Sequence, residues 1–144
     1  GGGLLGKEFI KNLKSKGDLL NTFYKDVLIG DLIYDTYLKS LTNYTLDIKD
    51  TKLKNMIFEF YCLCFYWDNF FDKKNVKALL CIHTVYSYAI PIRMAIFKNI
   101  SVYAMNMERL FSLSKTNYLK GTDFNYYPEE FKTLSPDVQK KVKN

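Results

Sequence analysis

The stretch VKALLCIHTVYSYAIPIRMAIFKNISVY, residues 76–103, decides the fold class. Residues 76–82 form an almost uninterrupted apolar run, which is typical of a strand covered on both faces. Apolar residues then recur at helical spacing, and Pro91 suits a first helical turn, so we predict a helix over 91–98. Residues 101–104 return as a strand. Because strand–helix–strand connections are right-handed, the two strands should be parallel neighbours in an α/β sheet.

Further helices and strands are predicted on both sides of this unit. The clearest is a long helix whose apolar residues recur at steps of three and four, with Asp50 as its N-cap. Asp18 and Asp31 are interpreted as N-caps of two shorter helices, and Gly30 as the residue that lets the chain turn tightly before the second. Helices are predicted at 7–13, 18–24, 51–71 and 107–113, and extended segments at 27–29 and 41–48.

Length and composition predict one globular domain with one core. The chain has 144 residues, of which 48% are hydrophobic and 25% charged. A net charge of +6 is compatible with phosphates, nucleic acid or an anionic membrane surface. The lysines are scattered, however, and no nucleic-acid motif accompanies them, so a solvated basic surface without a nucleic-acid partner is predicted. We interpret Gly1–Gly3 as a cloning remnant, which leaves 4–144 as the domain.

Cysteine and histidine usage argues against a metal site. The three cysteines, Cys62, Cys64 and Cys81, lie in apolar surroundings, which indicates reduced, buried thiols of the kind found in the cytosol. Cys62 and Cys64 lack zinc-ligand spacing, and His83 is the only histidine. No apolar run reaches the roughly 18 residues needed to cross a bilayer. We therefore expect a cytoplasmic protein without a metal or cofactor.

Two polar groups stand where α/β proteins bind ligands. His83 follows the first strand of the 76–103 unit, with Tyr86 in the same loop, and ligands bind outside the carboxyl ends of such strands. A histidine there can bind a phosphate or a sugar hydroxyl, or transfer a proton. Asp31 and Asp35 are one helical turn apart and share a face, where they could act on sugar hydroxyls. The guanidinium of Arg93 could donate two parallel hydrogen bonds to a phosphate or a carboxylate.

Structural alternatives exist for each of these residues. His83 could be hydrogen-bonded to a backbone group, Asp31 could be an N-cap beside a surface charge at Asp35, and Arg93 could be a surface ion-pair partner. The motifs of P-loop proteins, dinucleotide-binding proteins, serine hydrolases of the GxSxG type and HExxH zinc proteases are absent from the sequence. These classes therefore lose most of their support.

The string YKDVLIGDLIYDTYLKS, residues 24–40, resembles a stretch of bacterial capsule and surface-polysaccharide biosynthesis proteins, which are cytoplasmic glycosyltransferases of the two-domain, Rossmann-like GT-B type. The resemblance covers residues 20–142. Family members are much longer, and they often carry glycine where this chain has Ala89 and Pro91. The later matching features, in family order, are His83 and Tyr86 after a strand, Arg93 on a helix, Val102-Tyr103 ending a strand, and the aromatic-Lys-x-Leu-Ser segment at 131–135.

The resemblance implies a Rossmann-like three-layer domain, with a small parallel sheet flanked by helices. This domain would be the N-terminal, acceptor-side half of an enzyme that moves a sugar from a nucleotide-sugar donor to a glycan acceptor. Asp31 and His83 would be the catalytic residues. The residues that bind substrate would be Tyr34, Asp35, Tyr86 and Arg93.

The expected partners follow from the same resemblance. They are the nucleotide-sugar, the glycan, and either a missing C-terminal domain or a second copy of the chain, with peripheral contact at the inner face of the cell membrane. The alternative function is a non-catalytic module that binds a carbohydrate or a protein.

Overall fold

The computed structural model describes residues 1–41, 45–105, 110–118, 131–136, 138 and 140. Helices and short strands are interspersed along these residues, which confirms the α/β class. The helices are α1 (Gly2–Asn12), α2 (Lys16–Leu20), α3 (Gly30–Lys39), α4 (Thr51–Lys73) and α5 (Ala89–Phe97), with a short 3₁₀ helix at Tyr86–Tyr88. The strands are β1 (Phe23–Tyr24), β2 (Val27–Leu28), β3 (Ala78–Cys81), β4 (Ser101–Met105) and β5 (Leu110–Leu113).

The predicted parallel unit is present. Strands β3 and β4 pair in parallel with Leu80 opposite Tyr103, and α5 connects them. Pro91 is the third residue of α5, where its missing N–H removes no helical hydrogen bond. Strand β5 then adds to β4 in antiparallel orientation. The helix predicted over 107–113 is therefore wrong for its described part, residues 110–113, because these residues gain their hydrogen bonds from β4.

One face of this three-stranded sheet is covered and the other is open. Val102 and Leu113 point into the core beneath α5, whereas Leu80 and Leu110 on the other face are 61% and 60% exposed. The prediction that residues 76–82 are covered on both faces is wrong. Side chains alternate along a strand, so an apolar run places half of its members on the open face.

Helix α4 organises the core. Its buried face includes Leu53, Ile57, Phe60 and Cys64, and the Asp50 carboxylate accepts a hydrogen bond from the Lys52 N–H at the helix start, as predicted. Helix α1 packs along α4 at Gly2 and Gly6, which are both buried. A Cβ on Gly2 would lie 2.3 Å from the Tyr61 carbonyl oxygen, so this close approach of the two helices requires a residue without a side chain. The cloning-remnant interpretation of residues 1–3 stays a prediction.

The two shorter helices begin differently from the prediction. Asp18 is not the N-cap of α2. Ser15 is, and Asp18 completes a capping box by accepting the Ser15 N–H. The residues beyond Asn21 leave the helix, and β1 pairs with β2. Asp31 is the second residue of α3 rather than its cap, which is Ile29. Of the extended segment predicted at 41–48, residues 42–44 lie outside the described part.

Within the described ranges, no helix combines the length and apolarity needed to cross a membrane. All three cysteines are free. Cys64 is buried, as predicted, and its thiol has a pKa raised to about 12, chiefly by burial. Cys62 and Cys81 are only half-buried.

Candidate functional site

A partly buried ion pair joins the start of α3 to α5. Arg93, which is 3% exposed, donates from Nη1 to Oδ1 of Asp31 at 2.7 Å and from Nη2 to Oδ2 at 2.6 Å. Nη1 also donates to the Leu28 carbonyl oxygen at 2.7 Å. The two hydrogen bonds to Asp31 fix the plane of its carboxylate, and together with the bond to Leu28 they connect β2, α3 and α5. Of the alternative that Arg93 is a surface ion-pair partner, the ion pair is confirmed and the surface location is wrong: the Arg93 side chain is buried, whereas its partner Asp31 is 34% exposed.

The Nε donor of Arg93 is not used in this contact. The Nε atom is buried and has no hydrogen-bond partner among the described residues. The Tyr118 ring lies 5.2 Å from Cζ, in a cation–π contact. Arg93 is thus directed at groups of the protein, and binding a substrate phosphate with its two Nη atoms would require release of Asp31.

Asp35 offers a second carboxylate one turn along α3. It is exposed, and it lies on the same helix face as Asp31. Partial burial of its carboxylate and then the negative charge of Asp31 raise the pKa of Asp35, while Arg93 opposes them. The first half of α3 therefore holds one carboxylate fixed by an arginine and a second that is open to solvent and more basic than usual.

Gly30 explains how α3 reaches this position. A Cβ on Gly30 would lie 2.0 Å from the Leu19 carbonyl oxygen and 2.6 Å from that of Leu20. The Gly30 N–H donates to the Thr22 carbonyl at 3.0 Å. Gly30 is the first residue of α3, so the interpretation as a turn residue is wrong: glycine is needed because α2 approaches too closely for any side chain.

Tyr34 faces α2. Lys16 donates from Nζ to the Tyr34 hydroxyl at 2.8 Å, and the same Nζ lies 4.4 Å from the ring centroid. This cation covers part of the tyrosine that was predicted to stack on a sugar.

His83 and Tyr86 follow β3, as predicted, and Tyr86 lies at the far end of α3. Lys39, the last residue of α3, lies 4.3 Å above the Tyr86 ring and about 12 Å along the helix axis from Asp31. His83 is exposed, and its ring is 5.9 Å from that of Tyr88. Among the described residues, His83 has no hydrogen bond, and no contact joins it to Asp31.

The structure thus brings Asp31, Asp35 and Arg93 together. It places Tyr86 at the other end of α3 and His83 beside Tyr88. The backbone-bonded histidine alternative has no support in the described residues, since His83 accepts and donates nothing there.

A second polar cluster was not predicted. Asp68 is buried on α4 and accepts hydrogen bonds from Lys25 at 2.5 Å and Tyr24 at 3.3 Å, while Lys98 lies 2.7 Å from its other oxygen. Beside it is a cavity of about 330 Å³ that Lys115 also lines. The available signal was the position of Asp68 on the apolar face of α4, four residues after Cys64.

The described side chains do not place three His, Cys, Asp or Glu residues close enough to hold a metal ion. In comparisons with known proteins, no family model, no curated protein and no solved structure matches this chain.

Proposed function

We propose that the chain is the Rossmann-like, acceptor-side part of a GT-B glycosyltransferase that extends a surface or capsular polysaccharide at the cytoplasmic face of the cell membrane. The enzyme would take its sugar from a nucleotide-sugar. Two observations support the proposal. The segment that resembles the family, residues 24–40, carries the arginine-fixed carboxylate, and β3, α5 and β4 form the parallel unit from which such domains are built.

The geometry of Asp31 is the observation that carries this proposal. A carboxylate whose plane is fixed by a bidentate arginine can hold a sugar hydroxyl in one orientation. Asp35, one turn away and with a raised pKa, then accepts a proton from the acceptor hydroxyl as it attacks the donor. This role for Asp35 extends the sequence-based proposal, in which Asp31 or His83 was the base.

The remaining predicted residues have supporting roles. Tyr86, at the far end of α3, would contact more distant sugars of the acceptor. His83, in the loop that follows β3, would be the alternative proton acceptor. Tyr34 would stack on a sugar ring with the part of its face that Lys16 leaves open. Arg93 would act by positioning Asp31. The nucleotide diphosphate would be bound by a separate domain, so we expect the 144-residue chain to bind acceptor without transferring sugar.

The test compares this chain with a longer native protein that contains it. Both are incubated with a panel of nucleotide-sugars and a capsular oligosaccharide acceptor, and products are followed by mass spectrometry. We expect transfer by the long form alone, and a turnover roughly 10²–10⁴-fold lower in its Asp35→Asn variant. Glu8→Gln, which removes a charge from exposed Glu8 on α1, is the matched control and should leave turnover unchanged.

Two results would contradict the proposal. One is a long form that transfers no sugar from any donor, and the other is unchanged turnover in both Asp31→Asn and Asp35→Asn. Specific glycan binding by the short chain, together with an inactive long form, would favour the binding-module alternative.

A further inference from the structure

Helix α4 has an apolar strip on the side that faces away from the core. Phe58, Phe65 and Tyr66 are 36%, 42% and 57% exposed, and Leu63 beside them is 37% exposed. Single exposed apolar residues are ordinary, but four within three turns of one helix form a contiguous surface. The candidate site does not use this surface, and the start of α1 lies against Phe58 and Phe65 on one flank of it only.

The strip has nearly the same residue order in both directions. Asn55, Phe58, Cys62, Phe65 and Asn69 follow one another at steps of three or four residues, so they line one face of α4. Counting either way from Cys62, a phenylalanine comes first and an asparagine second. We call these five residues the Cys62 strip.

The surface around Cys62 is grooved on both sides. A groove of about 440 Å³ runs between the strip and the start of α1, and a groove of about 520 Å³ lies on the opposite flank, beside Glu59, Leu63 and Tyr66. Both are lined by Phe58 and Cys62. A small residue between two aromatic rings gives a surface onto which another helix can pack closely.

We propose that this surface binds a second copy of the chain, with the two α4 helices antiparallel and a two-fold axis passing at Cys62. A two-fold interface uses the same patch on both copies, so its contacts must be self-complementary. The Cys62 strip meets this requirement: the axis brings Cys62 onto its own copy, Phe58 onto Phe65, and Asn55 onto Asn69. The inference does not depend on the proposed enzymatic function.

The helix dipoles favour the antiparallel orientation, in which the positive end of each α4 meets the negative end of the other. A parallel pair would also place Lys52 and Lys54, on the first turn of α4, against the same two lysines of the other copy. Asp72, near the other end, is paired with Lys98 within its own chain and adds no attraction between the copies.

The exposed apolar area on α4 determines how tightly two copies are expected to bind. A whole aromatic side chain has a surface of about 150–250 Å². The exposed fractions of Phe58, Phe65 and Tyr66 therefore correspond to roughly 270 Å² of solvent-accessible aromatic surface per copy. A stable interface buries about 800 Å² per partner, so the aromatic residues supply its centre and the polar flanks the remainder. We therefore expect a dimer that dissociates in the micromolar range.

Cysteine cross-linking tests the register. Treatment of the chain with diamide should give a disulfide dimer that Cys62→Ser abolishes, although Cys81 is equally half-buried and remains in place. In the Cys62→Ser background, Asn55→Cys and Asn69→Cys chains should cross-link when mixed, and several-fold less when each is oxidised alone. Preferential cross-linking of each alone would overturn the antiparallel arrangement.

Sedimentation velocity tests the surface itself. Tyr66→Glu should raise the dissociation constant at least tenfold, whereas Leu80→Glu, at an equally exposed leucine on the open sheet face, should leave it unchanged. Circular dichroism confirms that both variants are folded. A chain that stays monomeric at about 100 µM overturns the proposal, as does a dimer that is sensitive to Leu80→Glu alone. Binding of the parent to anionic vesicles without dimerisation would assign the surface to a membrane instead.

Discussion

At the scale of single residues, the Arg93–Asp31 pair is a two-hydrogen-bond contact between distant parts of the chain. It joins residues 62 positions apart, and Arg93 is almost fully buried. Removing one partner of a buried pair costs more than the pair contributes, because the other charge is left without compensation. The pair should therefore be visible in stability as well as in function.

We predict that Arg93→Met lowers the free energy of unfolding by about 3 kcal/mol, the low end of the range for buried pairs, because Asp31 keeps partial access to water. The measurement is urea denaturation followed by circular dichroism. Asp35→Asn is the matched control on the same helix. It removes a carboxylate whose pKa is raised, and whose charge therefore disfavours folding, so its stability should equal or exceed that of the parent.

The double variant Arg93→Met/Asp31→Leu should lose less stability than the two single variants added together, because no unpaired charge remains. Strict additivity would contradict the pairing.

Asp68 should make the protein sensitive to acid. Its burial favours protonation, but hydrogen bonds from Lys25 and Lys98 outweigh that effect and hold the pKa of Asp68 below its ordinary value. A depressed pKa contributes stability above the unfolded value of about 3.9, and this contribution is lost as the pH falls through the folded value. We predict that the urea midpoint falls between pH 5 and pH 3, and that Asp68→Asn reduces this fall. An unchanged pH profile in Asp68→Asn would show that the lysines do not hold the carboxylate.

At the scale of secondary-structure elements, the start of α3 depends on contact with α2. A Cβ at Gly30 would overlap backbone oxygens of Leu19 and Leu20, which cannot move without moving α2. We predict that Gly30→Ala lowers stability by at least 2 kcal/mol, in the range of overpacked cores. Gly17→Ala is the control, because a Cβ there meets only the Ser15 hydroxyl at 3.5 Å, and alanine is favoured inside a helix. Equal stability of the two variants would contradict the close approach at Gly30.

The elements that the sequence predicts correctly are those encoded locally. Helix α4 carries its own apolar periodicity and cap, and the order of β3, α5 and β4 follows from apolar runs on either side of a helical segment. Strand β5 was missed because its conformation comes from pairing with β4. The exposure of Leu80 was missed because an apolar run does not show which face of the strand packs against another element.

The candidate site was predictable in its residue types and not in its partners. Asp31 and Asp35 could be assigned to one helix face from their spacing alone. The pairing of Asp31 with Arg93 depends on how α5 packs against α3, and no local pattern contains that information. The same holds for Asp68, whose lysine partners come from β1–β2 and from the end of α5.

At the scale of the whole molecule, α5 covers one face of the three-stranded sheet, and the other face is left open by the described residues. Val102 of β4 is fully buried on the covered face, whereas Leu80 of β3 lies on the opposite face and is 61% exposed. The proposed Rossmann-like architecture has helices on both sides of its sheet. In this chain alone, the second cover would have to come from outside the described elements.

Two substitutions test whether the sheet face that carries Leu80 is exposed to solvent in solution. We predict that Leu80→Thr changes the free energy of unfolding by no more than about 0.5 kcal/mol, because an exposed side chain loses little on truncation and threonine suits a strand. Val102→Ala, on the covered face, should cost about 2 kcal/mol through lost burial and the cavity it leaves. Urea denaturation of both variants at two protein concentrations gives the comparison. If Leu80→Thr costs as much as Val102→Ala at both concentrations, part of the chain itself covers the sheet. If Leu80→Thr lowers stability only at the higher protein concentration, a second molecule covers the sheet. In that case two copies meet at the open sheet face and not at the α4 surface.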